Sequence, residues 1–210
     1  GYPRETNPQL ERENVINFSD VYACGTSTAV SLPCMFSRQS RSDFDADTSA
    51  RSENLLDVLH HAGIPVLWRD NNSGCKGLCD RSDHEEFSPA SDPRLCNGDE
   101  CFDMVLMNQL EQKIDGYDQA AVIVLHQKGS HGPAYFLRAP REFQRFSPVC
   151  HTNQLQQCSK AEIVNAYDNT ILYTDHVLTS LIHMLQQRAE KYDSALLYVS
   201  DHGESLSENN

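Results

Sequence analysis

The sequence lacks any apolar run long enough to cross a bilayer, and it has few basic residues. A transmembrane helix needs about 20 consecutive apolar residues, and no stretch of the 210 residues approaches that length. The first ten residues do not have the pattern of a secretory signal peptide. Lysine and arginine number 17 against 30 aspartates and glutamates, which gives a formal charge of −13. Because binding to a nucleic-acid backbone requires clustered basic residues, the composition argues against DNA and RNA as partners.

Repeats, low-complexity tracts and linkers are also missing from the chain. Its 39% hydrophobic residues are too many for a disordered protein and too evenly spread for a fibrous one. A chain of this length suits one domain that buries roughly 70% of the surface of its unfolded state. We therefore expect a single domain over residues 1–210.

Eight cysteines are present, in four pairs of near neighbours that lie in predicted loops. Many complete pairings are possible, so the sequence alone does not establish which cysteines are joined. Disulfides would indicate a periplasmic or secreted compartment, because the cytosol keeps thiols reduced. The alternative is a structural zinc site formed by the two middle pairs, although neither has the CxxC spacing of a zinc ribbon. The four pairs are Cys24 and Cys34, Cys75 and Cys79, Cys96 and Cys101, and Cys150 and Cys158.

Helical and strand patterns alternate along the chain. Residues 55–62 place apolar side chains at helical spacing up to Gly63, and Ser159 and Glu162 form a capping-box pattern that opens the longest helix. Such alternation predicts an α/β protein with a mostly parallel sheet and helices on both faces. The predicted strands are 15–19, 64–68, 120–125 and 195–199; the predicted helices are one near 28 that Pro33 interrupts, 55–62, 102–110 and 160–193.

Polar side chains follow each of the four predicted strands. In open α/β sheets, ligands bind beyond the carboxyl ends of the strands. Loops are normally polar, but four polar loops at one sheet edge favour an active site. These loops are residues 24–28, 69–76, 126–133 and 200–205.

Asp201 and His202 have the donor atoms that zinc prefers, a carboxylate oxygen and an imidazole nitrogen. His131 lies in a loop shaped by glycine and proline and is a further candidate. The alternative is that Asp201 caps a following helix and His202 only bonds the backbone. The other histidines are expected to be solvated or packed within helices (His60, His61, His176 and His183) or to lie in surface loops (His84 and His151).

Three hydroxyl residues, Thr26, Ser27 and Thr28, come just before a predicted helix. A helix N-terminus offers free N–H donors to an anion such as phosphate. A threonine or serine oxygen beside zinc loses its proton readily and becomes a nucleophile. The alternative is ordinary helix capping by one of the hydroxyls. Spacing does not decide between the three residues.

Several segments resemble those of one enzyme family, the lipid A phosphoethanolamine transferases, which includes the mobile colistin-resistance enzymes. Residues 24–37, CGTSTAVSLPCMFS, resemble the nucleophile motif of the family. Residues 198–205, YVSDHGES, resemble its metal motif, and residues 130–136, SHGPAYF, its substrate loop. Residues 68–73, WRDNNS, and 165–169, NAYDN, are also similar to family segments. The similarity covers nearly the whole chain, with the motifs in the same order.

The resemblance implies a fold of the alkaline phosphatase/sulfatase type, with loops stapled by disulfides between neighbouring cysteines. By position, Thr28 would be the nucleophile, and Thr28, Asp201 and His202 would bind zinc. His131 would bind a second zinc ion or the transferred phosphate, so one or two ions are expected. The phosphoethanolamine pocket would be lined by Thr26, Ser27, Asn72, Ser73, Lys76 and Glu204.

The resemblance also implies a reaction and a location. Thr28 would take phosphoethanolamine from phosphatidylethanolamine, and a lipid A phosphate would then accept it, which gives polymyxin resistance. The domain would lie in the periplasm, attached to the inner membrane by an N-terminal anchor. One alternative is a phosphodiesterase or phosphohydrolase of the same superfamily; a sulfatase would need a Cys/Ser-x-Pro-x-Arg motif, which is absent. Another is a non-catalytic, disulfide-rich recognition domain.

The chain departs from the family pattern at both ends. The family has an acidic zinc ligand upstream of the segment that matches Gly1, and a metal-site histidine downstream of Glu204. Ser207 and Asn210 stand where the family usually has glycines. We therefore expect a catalytic domain that is truncated at both ends and lacks the upstream anchor. Such a domain should bind zinc weakly and turn over its substrate slowly.

Overall fold

The structure, a computed structural model, describes residues 2–98 and 100–206. Ser207 and Asn210, two of the departures from the family pattern, lie outside these residues. The strands are β1 (Val66–Asp70), β2 (Asp83–Glu86), β3 (Cys96–Asn97), β4 (Glu100–Cys101) and β5 (Val122–His126). The α-helices are α1 (Thr28–Met35), α2 (Ala46–Ala50), α3 (Leu55–His61), α4 (Leu110–Asp115) and α5 (Lys160–Gln186). Single 3₁₀ turns occupy Leu10–Arg12, Pro93–Leu95, Asp103–Met107, Tyr135–Leu137, Arg141–Phe143 and Leu155–Gln157.

Three parallel strands form the central sheet, in the order β2-β1-β5. In the register of β1, Trp68 lies opposite His84 on one side and Val124 on the other, and Asp70 lies opposite His126. The carboxyl ends of β1 and β5 therefore meet. Strands β3 and β4 form a separate antiparallel pair.

Helices cover both faces of the sheet, as the sequence predicts. On one face, Trp68 of β1 and Val124 of β5 pack with Leu32 of α1 and Leu56 of α3. On the other face, Leu125 of β5 packs with residues of α4 and α5, namely Leu110, Leu181 and Met184. The alternating side chains of β5 thus point into two different cores. No helix in residues 2–98 and 100–206 combines the length and the apolar character that crossing a membrane requires.

The predicted helices form, with different ends. The capping box is present, because Ser159 Oγ accepts the Glu162 N–H while the Glu162 carboxylate accepts from Ser159 N at 2.8 Å. Helix α5 ends at Gln186 rather than continuing to 193. The helix predicted over 102–110 is instead the 3₁₀ turn Asp103–Met107 followed by α4. Pro33 does not interrupt α1, which continues to Met35, although proline removes one N–H donor from the helix.

Two predicted strands, 15–19 and 195–199, are wrong. Neither segment has strand hydrogen bonds, and both expose large apolar side chains, Ile16 at 85% and Leu197 at 82%. A cavity of about 830 Å³ is lined by β5 on one side and by residues 193–202 on the other. Residues 195–199 therefore face β5, the edge strand of the sheet, across this cavity and do not pair with it.

The cysteines form four disulfides between neighbours along the chain. The pairs are Cys24–Cys34, Cys75–Cys79, Cys96–Cys101 and Cys150–Cys158, with separations of 10, 4, 5 and 8 residues. The cysteine zinc site considered as an alternative is therefore wrong, since all of its sulfurs are in disulfides. Cys96–Cys101 joins β3 to β4, and the other three close loops.

Candidate active site

Thr28 is the first residue of α1 and is only 8% exposed. Ser31, which is fully buried, fixes the turn before it: its Oγ accepts from Gly25 N and donates to Gly25 O, both at 3.2 Å. The Cys24–Cys34 disulfide ties the same turn to the end of α1. The Thr28 hydroxyl is thus held at a helix N-terminus, where free N–H groups and the helix dipole favour a negative charge.

Asp201 and His202 converge on Thr28. His202 Nε2 lies 3.4 Å from Thr28 Oγ1 and 3.6 Å from Asp201 Oδ2. Asp201 Oδ1 accepts the His202 backbone N–H at 3.1 Å, whereas Oδ2 is buried and has no hydrogen-bond partner in the described part of the chain. A buried carboxylate oxygen without a donor costs free energy. The alternative that Asp201 caps a helix is wrong, because residues 202–206 are not helical.

His131 and His202 are both fixed in the form that carries hydrogen on Nδ1. His202 Nδ1 donates to Gly203 O at 2.9 Å, and His131 Nδ1 donates to Gly132 O at 2.7 Å. A carbonyl oxygen only accepts, so in the uncharged imidazole each Nε2 keeps a free lone pair. The two rings lie edge to face with centroids 6.4 Å apart. In the uncharged form, both imidazoles therefore present an Nε2 lone pair, the arrangement that a metal ligand requires.

The donors near Thr28 fit a zinc ion. The orphaned Asp201 Oδ2, the free His202 Nε2 and the Thr28 hydroxyl supply the oxygen and nitrogen atoms that zinc prefers. The set is small: within residues 2–98 and 100–206, no three His, Cys, Asp or Glu side chains are grouped closely enough to hold a metal. The described residues therefore contribute three zinc donors near Thr28: the carboxylate of Asp201, the imidazole of His202 and the Thr28 hydroxyl.

Glu204 holds the loop that carries His131. Its Oε1 accepts from Gly132 N at 3.3 Å, and its Oε2 accepts from the Tyr135 hydroxyl at 3.2 Å. Gly132 has no room for a side chain, since an added Cβ would lie 2.5 Å from the Tyr135 hydroxyl oxygen. Glu204, expected in the substrate pocket, thus also connects the two segments that supply His131 and His202.

Arg138 also holds the loop that carries His131. Its Nε donates to His131 O at 2.9 Å, and its guanidinium pairs with Glu100, which also lies 3.3 Å from Lys128 Nζ. Burial lowers the pKa of Arg138. Because Glu100 belongs to the β3–β4 pair, this ion pair connects the His131 loop to the Cys96–Cys101 disulfide.

Asn72, Ser73 and Lys76 lie in a second loop, after β1. Lys76 Nζ donates to Ser73 O at 2.6 Å and to Ser73 Oγ at 2.8 Å. Lys76 adopts a left-handed backbone conformation, φ 55°, inside the short Cys75–Cys79 disulfide. The structure shows no hydrogen bond from these three residues to Thr28, Asp201 or His202 within the described residues, so they form a separate polar group at the same sheet edge.

A buried pair, Asp70 and His126, lies where β1 and β5 end. Asp70 Oδ2 accepts from His126 Nδ1 at 2.7 Å and from Trp68 Nε1 at 2.9 Å. Burial acts to raise the pKa of Asp70, but these hydrogen bonds and that from Asn72 N lower it to about 2. The sequence placed His126 in a polar loop without assigning it a role, because only the register of the two strands brings it against Asp70.

The remaining predicted residues have simpler positions. Thr26 and Ser27 are exposed; Ser27 is the N-cap residue of α1, but its side chain makes no capping hydrogen bond. His176 packs against Phe143, and burial lowers its pKa. His183 pairs with Glu13, His60 and His61 are exposed on α3, and His151 is exposed beside Phe136. His84, expected in a loop, lies instead on β2 and is exposed.

The chain has the fold of an alkaline phosphatase/sulfatase-type domain, a parallel sheet with helices on both faces. Its site, a hydroxyl residue at a helix N-terminus beside an Asp–His pair, fits the same class. The family model for sulfatases matches residues 1–210, and the chain belongs to that family. Its resemblance to phosphoethanolamine transferases is confirmed by comparison with known proteins.

Two curated relatives match the whole chain. The phosphoethanolamine transferase EptA of Escherichia coli K12 is 47% identical, and the phosphatidylethanolamine transferase Mcr-1 of Escherichia coli is 45% identical. Proteins so named are enzymes. The chain spans 38% and 40% of their lengths, respectively.

A solved structure has the same fold. The soluble domain of lipooligosaccharide phosphoethanolamine transferase A from Neisseria meningitidis matches with a TM-score of 0.92 at 41% identity. The match covers 100% of this chain and 63% of that one.

Proposed function

We propose that this chain is the catalytic part of a zinc-dependent phosphoethanolamine transferase, with Thr28 as the nucleophile. The observation that supports it best is the convergence of Thr28 Oγ1, His202 Nε2 and the unpartnered Asp201 Oδ2 at the N-terminus of α1. The relatives named as transferases of this group make the reaction class specific.

Thr28, Asp201 and His202 would hold the zinc ion. When bound, zinc acts as a Lewis acid that lowers the pKa of the hydroxyl and stabilises negative charge on the phosphoryl group. His131 would bind a second ion through the lone pair of Nε2, or, with hydrogen on both ring nitrogens, would donate from Nε2 to the phosphoryl oxygens. Thr26 and Ser27, exposed before α1, and Ser73 and Lys76 in the loop after β1 would bind the rest of the group.

The transfer takes two displacements. Thr28 Oγ1 attacks the phosphorus of phosphatidylethanolamine, which forms the Oγ1–P bond and breaks the bond to the diacylglycerol oxygen; the proton lost by Thr28 is matched by the one that diacylglycerol gains. A phosphate oxygen of lipid A then attacks the same phosphorus, which forms the new O–P bond and breaks the Oγ1–P bond; the proton lost by the attacking hydrogen phosphate is matched by the one that Thr28 regains. The N–H groups at the N-terminus of α1 are already in position to stabilise the anionic intermediate, so they need no rearrangement during the reaction.

The names of relatives support a proposal for the acceptor and the location. One relative from Escherichia coli K12, 31% identical over 99% of the chain, is named Kdo(2)-lipid A phosphoethanolamine 7''-transferase, and a solved structure at 41% identity is described as an integral membrane protein. We place the domain in the periplasm, attached to the inner membrane. Adding an ethanolamine ammonium to a lipid A phosphate weakens attraction for cationic polymyxins, so resistance to colistin is the expected phenotype.

The test is the mass of the protein after incubation with zinc and phosphatidylethanolamine. We expect a phosphoethanolamine adduct that peptide mapping places on Thr28 and that is absent in Thr28→Ala. Thr48→Ala is the matched control, since it removes an exposed threonine hydroxyl of α2, outside the site, and should keep the adduct. Zinc content and the urea unfolding midpoint show whether each variant is folded and loaded.

Other outcomes separate the alternatives. Turnover of the lipid without any adduct, in a zinc-loaded protein, contradicts the covalent mechanism. An adduct that water removes as fast with lipid A as without it indicates a phosphodiesterase. A folded chain that binds neither zinc nor lipid supports a non-catalytic recognition domain.

A further inference from the structure

The Asp70 carboxylate accepts four hydrogen bonds, and one of them places a hydrogen on Nδ1 of His126. Oδ1 accepts from Asn72 N at 2.8 Å and Gly74 N at 3.1 Å, while Oδ2 accepts from Trp68 Nε1 and His126 Nδ1. Four N–H groups around one carboxylate stabilise its ionised form. An ionised carboxylate only accepts, so His126 carries its hydrogen on Nδ1.

The other nitrogen of His126 meets the carboxamide of Asn72. Asn72 Nδ2 lies 3.3 Å from His126 Nε2 and 3.2 Å from Gln127 O. Gln127 O is a backbone carbonyl, so the group facing it must be the NH₂, which settles the orientation of the amide. The NH₂ group then has one hydrogen for Gln127 O and one for His126 Nε2. That pairing requires a lone pair on Nε2, and therefore an uncharged His126.

This network leaves one atom of Asn72 for a ligand. Both amide hydrogens are used, and Oδ1 has no hydrogen-bond partner within the described residues. Asn72 is half-buried, whereas His126 and Asp70 are 8% and 5% exposed, so Asn72 is the member of the network that faces solvent. A phosphate oxygen only accepts and gains nothing from Oδ1. A primary ammonium group, in contrast, can donate a hydrogen bond to Asn72 Oδ1.

We infer that His126, held by Asp70, is a positioning residue that turns the Asn72 carboxamide so that its oxygen receives the ammonium group of phosphoethanolamine. The inference rests on the proposed function for the identity of the ligand. It assigns recognition of the headgroup nitrogen to the loop after β1, and recognition of phosphorus to Thr28, Asp201 and His202. Trp68 supports the ring of His126, with centroids 5.4 Å apart.

The test compares two free compounds, O-phosphoethanolamine and O-phosphocholine, which share a phosphate and a cation but differ in N–H groups. A hydrogen bond to a charged group contributes about 1.5–3 kcal/mol, so the chain should prefer phosphoethanolamine by at least about tenfold in Kd. His126→Asn keeps a donor for Asp70 but removes the acceptor at Nε2. Gln127 O then remains as the acceptor that orients the amide, so the preference should fall by at least about twofold, and the Kd of phosphocholine should be unchanged.

Two further measurements separate positioning from a structural role. Asn72→Leu, which removes the carboxamide oxygen and keeps a side chain of similar size, should abolish the preference if Oδ1 receives the ammonium group. In the wild-type chain, ¹⁵N NMR of the His126 ring should show the uncharged form with hydrogen on Nδ1. A protonated ring, hydrogen on Nε2, equal affinity for the two compounds in the wild type, or an unchanged preference in folded His126→Asn overturns the inference.

The Thr28 adduct is measured on the same variants, so that the two proposals fail separately. Adduct formation without any preference between the compounds overturns only the role of His126 and Asn72. A clear preference that His126→Asn lowers, in a chain that never forms the adduct, supports that role and contradicts the transferase.

Discussion

Buried carboxylates make many of the specific polar contacts at the scale of single residues. Asp103 is 4% exposed; burial raises its pKa although Asn71, Lys128 and Gly129 all donate to it. Asp175, fully buried in α5, accepts the backbone N–H groups of Gln9 and Leu10. None of these contacts follows a spacing rule, because each joins residues far apart in the chain.

Asp70→Asn should change how stability depends on pH. The pKa of Asp70 is about 2 in the folded chain against 3.8 ordinarily. A depressed pKa stabilises the fold above the unfolded value, and the stabilisation is lost as pH falls from about 4 to about 2. The excess unfolding free energy of the wild type over Asp70→Asn should therefore shrink by about 2 kcal/mol between pH 5 and pH 2.

Urea unfolding at a series of pH values measures this difference. Asp20→Asn is the matched control, because Asp20 is exposed; its curve should run parallel to that of the wild type. If the difference in unfolding free energy between wild type and Asp70→Asn stays constant over the whole pH range, the four donors do not lower the pKa of Asp70.

The elements divide into those that local sequence determines and those that only tertiary contacts determine. Helix α5 was predictable from its capping box and periodicity, and β1 and β5 from their apolar runs. Strand β2 was missed, because Asp-His-Glu-Glu has no apolar alternation and forms a strand only by pairing with β1. The segment 195–199 has the composition of a strand, but a cavity separates it from β5, the edge strand of the sheet, so the two make no strand hydrogen bonds.

The candidate site shows the same division. Asp201 and His202 were predictable as site candidates, because they follow an apolar run. Thr28 was distinguished from Thr26 and Ser27 by the family resemblance alone, since spacing does not decide between the three hydroxyl residues. Ser31, Tyr135 and Arg138 were not predictable, since a serine inside a helix or an arginine in a loop carries no signal until the fold supplies its partner. Hydrogen bonds to Gly25, Glu204 and His131 O give these residues their roles.

Arg138→Met should loosen the segment between β5 and α5. It removes the donor to His131 O and leaves the partly buried Glu100 with Lys128 alone, so we expect a loss of about 2–3 kcal/mol of unfolding free energy. Arg94→Met is the control: Arg94 also pairs with a carboxylate, Asp92, but its side chain is 87% exposed.

The control should cost less than about 0.5 kcal/mol. Urea unfolding of both variants gives the two values, and zinc titration shows whether the His131 loop matters for the metal. Equal losses in the two variants would mean that the Arg138 pair is no stronger than a surface ion pair.

At the scale of the whole molecule, disulfides supplement a modest core. The three central strands have only 5, 4 and 5 residues, and long connections surround them. Each disulfide closes a short loop and contributes roughly 2–3 kcal/mol by the chain-entropy estimate. Four of them together are comparable to the total stability of about 5–15 kcal/mol that is usual for a domain.

Complete reduction should therefore leave the chain unfolded or barely folded at 25 °C. The measurement is the urea midpoint in oxidised and reduced samples, with the free thiols counted by mass spectrometry. Replacing only Cys150 and Cys158 by alanine should cost about 2–3 kcal/mol. An unchanged midpoint with eight free thiols would mean that the core alone maintains the fold.

The order of the cysteines has a consequence for biosynthesis. Each cysteine is joined to the next one along the chain, from Cys24–Cys34 to Cys150–Cys158. A thiol oxidase that meets the polypeptide from its N-terminus, and joins each new thiol to the one before it, makes only native bonds. Maturation of this domain should need an oxidase but no isomerase, since vectorial oxidation leaves no wrong pairing to correct.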